Sequence, residues 1–169
     1  MDEIVALFKK EQPSFDGRLL ALDDVEFLNT SLPYNPIGNE KILFHGTEIK
    51  NIPNIVKNGF DNTWEKTMSG HIGKGIYFSD LMSQSIYYQL KFKYDDETLF
   101  TLIGAKVSLG KCVKLERTLL TIDIDKLPGY DSHTTPYQQD CHYGNEYCVF
   151  DANQMIPYCL IYLSVRDYK

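Results

Sequence analysis

Three short segments lie in fixed order along the chain: Leu43-Phe44-His45-Gly46-Thr47, then Gly73-Lys74-Gly75-Ile76-Tyr77-Phe78-Ser79-Asp80, then Asn145-Glu146-Tyr147. Each sets one polar side chain inside strand-like apolar sequence: a histidine, a tyrosine and a glutamate. Glu146 constrains the fold most, because it opens the apolar run Tyr147-Cys148-Val149-Phe150. A carboxylate drawn into a dry interior without partners is expensive, so an edge or a cleft has to receive it. Taken singly, His45 reads as a partly buried histidine satisfied by a neighbour, and Tyr77 as a core aromatic.

The 169 residues are expected to form one domain over 1–169. Hydrophobic residues make up 43% and charged residues 24%, enough apolar sequence to build a core without disulfide staples. The net charge of -6 argues against a broad nucleic-acid-binding face, which needs clustered Lys and Arg. The four cysteines, Cys112, Cys141, Cys148 and Cys159, show no C-x-x-C spacing. Cys141-His142 lacks a second ligand pair at a zinc-like distance, so no metal site is expected. The acidic start Met1-Asp2-Glu3 is unlike a signal peptide, and no run approaches the roughly 18 apolar residues of a membrane span. A monomer in a reducing intracellular compartment, nuclear or cytoplasmic, is the expected setting.

Ile4, Val5, Leu7 and Phe8 give residues 3–11 a helical period. Residues 19–28 read as a second helix or a strand, and residues 31–39, with Pro33, Pro36 and Gly38, read as a loop. Residues 1–40 are therefore expected to be N-terminal helices and a loop. Strands are expected at 41–45, 75–78, 98–108, 112–115, 146–150 and 159–165, and helices at 49–58, ended by Gly59, and from an Asp80 N-cap to about residue 90. Residues 127–144 read as long and irregular, a length that in a compact domain is usually functional. The pattern is mixed α+β, with strands crowded toward the C-terminus.

Gly70-x-x-Gly73-x-Gly75 precedes a strand, where the dinucleotide fingerprint would follow one and open a helix, so a Rossmann reading fails on context. Such glycines can instead bring backbone close to a ligand. On the helix after Asp80, Ser85 and Tyr88 are three residues apart and share a face. With Tyr77 they offer two aromatic rings and a hydroxyl to a flat, amide-bearing ring.

As an ordered set the segments resemble the catalytic domain of the poly(ADP-ribose) polymerase-like ADP-ribosyltransferases, the diphtheria-toxin type with a His-Tyr-Glu triad. The resemblance spans residues 41–165. It takes in Gly59-Phe60, Ser83-x-Ser85, Leu109-Gly110-Lys111, Gly129-Tyr130-Asp131-Ser132 and Gln154-x-x-Pro157-Tyr158-Cys159-Leu160-Ile161. Leu43 to Thr47 and Gly59-Phe60-Asp61 are similar to the mono-ADP-ribosylating branches. Gly73 to Phe78 and Asn145-Glu146-Tyr147 are closer to the DNA-dependent polymerases.

The resemblance implies two packed, mostly antiparallel β-sheets flanked by short helices, with an NAD cleft between them. It implies NAD as co-substrate, no metal, release of nicotinamide, and transfer of ADP-ribose to a protein acceptor, the chain itself included. Elongation into poly(ADP-ribose), transfer to nucleic acid ends, hydrolysis by water, and a silent module that only binds NAD or ADP-ribose are the other readings. The implied catalytic residues are His45, Tyr77 and Glu146. His45 would bond a ribose hydroxyl, Gly46 and Ser85 the nicotinamide carboxamide, and Glu146 the 2′-hydroxyl of the nicotinamide ribose. Tyr88 and Tyr77 would flank the nicotinamide ring, Asn51 would face the adenosine half, and Thr47, Gly75 and Phe78 complete the binding set. On this basis loss of Glu146 should lower turnover and loss of Tyr88 should lower NAD affinity. The chain departs from the DNA-dependent enzymes in three ways. About forty residues before His45 leave no room for a helical regulatory domain, Gln84 stands where those enzymes have a lysine, and residues 60–70 and 132–145 are short.

Overall fold

Six residues alternate into the core along the strand Met155–Val165, from Met155 through Pro157, Cys159, Ile161 and Leu163 to Val165. This is the period-two signature of a strand with one face in the core. The computed structural model, which describes residues 2–61, 72–90, 99–115, 125–135 and 144–166, builds its sheet around this strand. In chain order the elements are α1 (Asp2–Glu11), β1 (Ser14–Phe15), β2 (Arg18–Phe27), β3 (Glu40–His45), α2 (Ile52–Asn58), β4 (Ile76–Ser79), α3 (Met82–Leu90), β5 (Leu99–Ser108), β6 (Cys112–Lys114), β7 (Ser132–Thr135), β8 (Glu146–Val149) and β9 (Met155–Val165). The described strands run in the order β1-β2-β9-β5-β3-β4-β8-β7-β6. Neighbours are antiparallel except for β6 and β7.

The fold is α+β and mostly antiparallel, as expected. The two sheets anticipated from the resemblance are halves of one hydrogen-bonded ladder. β3 and β4 meet through the single pair Phe44 and Ser79, so the ladder is thinnest there. The halves pack on each other through a shared core. Leu43, Ile103, Ala105 and Met155 come from one half, and Phe78, Tyr147 and Val149 from the other, with Ile52 and Phe60 alongside. A second core, including Ile4, Leu20, Phe44, Met82, Ile86, Phe100 and Ile161, seats α1 and α3 on the five-strand half.

Three local expectations need correction. Residues 18–27 form a strand and not a second helix, so the first forty residues hold α1 and a β-hairpin. The hairpin turn is Asp16-Gly17, with φ of 50° and 74°, the doubly left-handed turn that Asp-Gly favours between strands. β2 then finds a long partner in β9, and Leu20 goes into the core at 3% exposed. β9 itself begins at Met155, four residues earlier than expected, because Met155 to Pro157 pair with Ala105 to Val107. Within 127–144, residues 132–135 are the strand β7, paired with β6 and β8.

Gly46 marks where α3 lies against the end of β3. A Cβ there would stand 1.8 Å from the Ser85 carbonyl oxygen and 3.3 Å from the Gln89 backbone nitrogen. The helix backbone cannot yield that space without moving. Gly46→Ala is therefore expected to lose at least about 1–3 kcal/mol of stability, the usual cost of overpacking. Thermal unfolding checks this; an unchanged midpoint would show that α3 is not held against Gly46.

Candidate functional site

The register of β3, β4 and β8 brings the three segments side by side. Phe44 pairs with Ser79, and Ser79 pairs with Glu146. His45 closes β3, Tyr77 lies within β4, and Glu146 opens β8.

His45 is flanked by one hydrogen-bond partner and two aromatic rings. Its Nδ1 lies 2.8 Å from the Tyr77 carbonyl oxygen. A carbonyl only accepts, so Nδ1 carries the proton and Nε2 of the neutral ring is an acceptor. Burial pushes its pKa below the usual 6.5, against the hydrogen bond to Tyr77. The rings of Phe60 and Phe78 stand 5.3 Å and 5.5 Å away.

Glu146 is 3% exposed, and its carboxylate partners come from α3. The Tyr88 hydroxyl donates a hydrogen bond to Glu146 Oε1. Gln84 Nε2 approaches the same oxygen at 3.4 Å. Gln84 and Tyr88 are four residues apart, on one face of the helix. Among the described residues Gln84 Oε1 is buried with no hydrogen-bond partner; flipping the amide would set that oxygen against the carboxylate. The Glu146 backbone carbonyl accepts from Thr134 Oγ1 at 2.7 Å.

Asp80 is not the N-cap of α3. Its two carboxylate oxygens accept from Asn145, from the backbone N–H at 2.7 Å and from Nδ2 at 2.6 Å. It thereby ties the start of α3 to the residue before Glu146. The free N–H groups of the helix go instead to Glu11 of α1, at 2.6 Å from Met82 and 2.7 Å from Ser83.

The other expected site residues fall around these. The Tyr77 hydroxyl donates to the Gly73 carbonyl at 2.7 Å and accepts from the Ile72 N–H at 3.1 Å. Burial, ahead of the neighbouring Cys148, raises its pKa, so the phenol stays neutral. Phe78 is a core residue behind His45. Ser85, 1% exposed, donates to the Phe44 carbonyl at 3.0 Å, next to Gly46. Gly75 sits where a Cβ would come within 2.6 Å of the Val149 carbonyl oxygen, so strand packing already demands a glycine there. Thr47 Oγ1 accepts from Asn51 Nδ2 at 3.2 Å. The structure thus groups Glu146 with Tyr88 and Gln84, and His45 and Gly46 with Ser85, Thr47 and Asn51.

Gln89 and His133 are among the buried polar residues that the sequence reading does not pick out. Gln89 binds both backbone groups of Thr101, at 2.8 Å and 3.1 Å, and reaches the Thr47 carbonyl at 3.3 Å. Its position one turn beyond Ser85 was the available signal. His133, 0% exposed, donates from Nδ1 to the Ile72 carbonyl at 2.8 Å and accepts the Leu127 N–H on Nε2 at 3.1 Å. A surface depression of about 260 Å³ between Leu28–Leu32 and Val56–Lys57 includes none of the candidate residues. Cys141-His142 and Gly70 lie outside the described residues. Among the described residues there is no cluster of three metal-ligating side chains, and no helix long and apolar enough to cross a membrane.

The family model for the poly(ADP-ribose) polymerase catalytic domain matches residues 2–165, so it takes in α1 and the hairpin as well as the region from residue 41. Protein mono-ADP-ribosyltransferase PARP4 of Mus musculus is 35% identical over 131 residues, covering 70% of the chain and 6% of that protein. PARP4 of Homo sapiens is 33% identical over 135 residues, 70% of the chain and 7% of that protein. Poly [ADP-ribose] polymerase 1 of Gallus gallus is 25% identical over 150 residues, 73% of the chain and 15% of that protein. The chain therefore spans a small fraction of the length of the curated relatives it matches.

Burial lowers the pKa of His133, ahead of the nearby Lys126, as it does that of His45. Each histidine then binds a proton more readily in the unfolded chain than in the folded one. Stability should fall as pH drops below about 6.5, where the unfolded imidazoles charge first. Chemical denaturation at pH 8 and pH 5.5 should show a steeper loss for the wild type than for His133→Gln. Equal losses would contradict a neutral, buried His133.

Proposed function

The chain belongs to the poly(ADP-ribose) polymerase catalytic-domain family, and on that premise we propose that it cleaves the nicotinamide–ribose bond of NAD and transfers ADP-ribose to protein side chains. The observation that carries the reading is Glu146: a buried carboxylate held by a tyrosine hydroxyl and a glutamine amide, on a strand next but one to that of His45. The chemistry of the site supports NAD as co-substrate. His45 Nε2, the carboxylate of Glu146 and the unpartnered Gln84 Oε1 are all acceptors, which suits the hydroxyl donors of a ribose. No metal is required by this reading.

In the proposed mechanism His45 Nε2 accepts a hydrogen bond from a ribose hydroxyl and orients the sugar. Gly46 and Ser85 recognise the carboxamide, the rings of Tyr88 and Tyr77 flank the nicotinamide, Thr47 and Asn51 lie toward the adenosine half, and Gly75 and Phe78 back the pocket. Breaking the glycosidic bond builds positive charge on the ribose, an oxocarbenium-like state comparable to that in glycoside hydrolysis. Glu146, bonded to the neighbouring 2′-hydroxyl, stabilises that charge more than the ground state, which is what accelerates a reaction. Tyr88 and Gln84 aim the carboxylate.

Transfer of a single ADP-ribose is the reading we favour over elongation. Gln84 brings no cation to the carboxylate, and two relatives carry mono-ADP-ribosyltransferase names. A reducing intracellular setting suits Cys112, Cys148 and Cys159, none of which forms a disulfide among the described residues.

Two outcomes test the proposal. With labelled NAD on a denaturing gel, the wild type should give a discrete labelled protein band that Glu146→Gln abolishes. A smear would indicate polymer, label on nucleic acid ends a different acceptor, free ADP-ribose hydrolysis, and intact NAD with retained binding a silent receptor. Because the Tyr88 hydroxyl bonds Glu146, Tyr88 should matter for turnover as well as affinity. Loss of a hydrogen bond to a charged group costs about 1.5–3 kcal/mol, so Tyr88→Phe should lower kcat by roughly 10–150-fold at nearly constant KM. Tyr88→Ala should raise KM in addition. Wild-type kcat in Tyr88→Phe would remove the hydroxyl from the mechanism.

A further inference from the structure

We infer that Glu11 is a positioning residue for the NAD site: by capping α3 it sets where Gln84 and Tyr88 meet Glu146. The inference rests on the proposed NAD chemistry and adds to it a residue 71 positions upstream of the helix it holds.

A helix leaves its first N–H groups without intrahelical acceptors, and a side chain next to its start usually supplies them. Among the described residues no side chain next to its start caps α3. Leu81 precedes it, Asp80 is committed to Asn145, and Ser79 Oγ accepts the Leu81 N–H at 3.0 Å. The N–H groups of Met82 and Ser83 are both taken by Glu11, one on each carboxylate oxygen, at 2.6 Å and 2.7 Å. A negative charge at this end also suits the helix dipole. Burial raises the pKa of Glu11, and the two backbone donors oppose that rise.

The carboxylate is held where the cap needs it. Ile4 of α1, 0% exposed, shares a core with Met82 and Ile86. Just beyond Glu11, the Ser14 N–H donates to Ser83 Oγ at 3.2 Å, and Phe15 stands edge-on to Phe100 at 5.3 Å. Gln84 follows the capped Ser83 directly, and Tyr88 lies one turn on, over the same carboxylate oxygen. An uncapped first turn would fray, and fraying there displaces Gln84 first and loosens the approach of Tyr88.

A double-mutant cycle on the full chain separates positioning from simple stabilisation. NAD turnover and the melting midpoint are measured for wild type, Glu11→Ala, Tyr88→Phe and the double variant. Glu11→Ala should lower kcat by about 5–20-fold with KM within about twofold, and in the Tyr88→Phe background the same change should cost less than about twofold, because coupled residues are non-additive. The loss in midpoint from Glu11→Ala should be the same in both backgrounds. Should Glu11→Ala fail to fold, Glu11→Gln keeps the size and one acceptor oxygen and should show the same coupling at smaller amplitude. An active wild type in which the two kcat losses multiply, or in which kcat ignores Glu11, overturns this inference alone. A wild type without NAD turnover overturns the proposed function and this inference with it.

Discussion

Glu146 sits at the first residue of β8 with 3% of its surface exposed. Taking a carboxylate out of water is offset only by donors held in fixed positions. Its donors, Gln84 and Tyr88, lie 62 and 58 residues earlier in the chain, both on α3. Seating that helix is therefore the task on which the site depends, and the structure meets it with tethers at both ends. Glu11 and Asp80 hold the start, Ser85 bonds the Phe44 carbonyl, and Gln89 binds Thr101 and Thr47. Gly46 lets the helix backbone come close enough for these contacts.

The same arrangement gives the candidate site its chemical character. His45 is held neutral by burial, and the Tyr77 carbonyl fixes its tautomer, so Nε2 is left as an acceptor. Tyr77 is bound through its hydroxyl to Ile72 and Gly73, while His133 grips the Ile72 carbonyl. These bonds tie Tyr77, His133 and the Ile72 backbone to one another. Preorganised acceptors of this kind suit a reaction in which little moves except charge on the sugar.

Much of the fold was legible because burial follows period. β5 announced itself by β-branched and aromatic content, β9 only in its second half, residues 159–165, and α3 through Asp80, a residue type that favours helix starts. Glu146 stood out because a carboxylate in an apolar strand demands an explanation. The hairpin was legible in principle from Asp16-Gly17, whose turn preference settles the ambiguity of residues 18–27. β7 was not: Ser132-His133-Thr134-Thr135 is short and polar, and it is a strand because β6 and β8 flank it. The cap of α3 was misread for a related reason. Asp80 is a good N-cap by type and position, but Asn145 offers it two donors at once. Glu11, Gln89 and the Asp80–Asn145 pair act across long sequence separations, where local pattern carries no information.

The central claim is that Glu146 acts on the transition state and not on the binding of NAD. Separate measurement of the NAD dissociation constant, by calorimetry, and of single-turnover rate at saturating NAD tests it in wild type and Glu146→Gln. The account predicts a dissociation constant within about threefold of wild type and a single-turnover rate lower by roughly 10–150-fold or more, the worth of one charge-assisted hydrogen bond at the least. An unchanged rate with weakened binding would contradict it and make Glu146 a binding residue only.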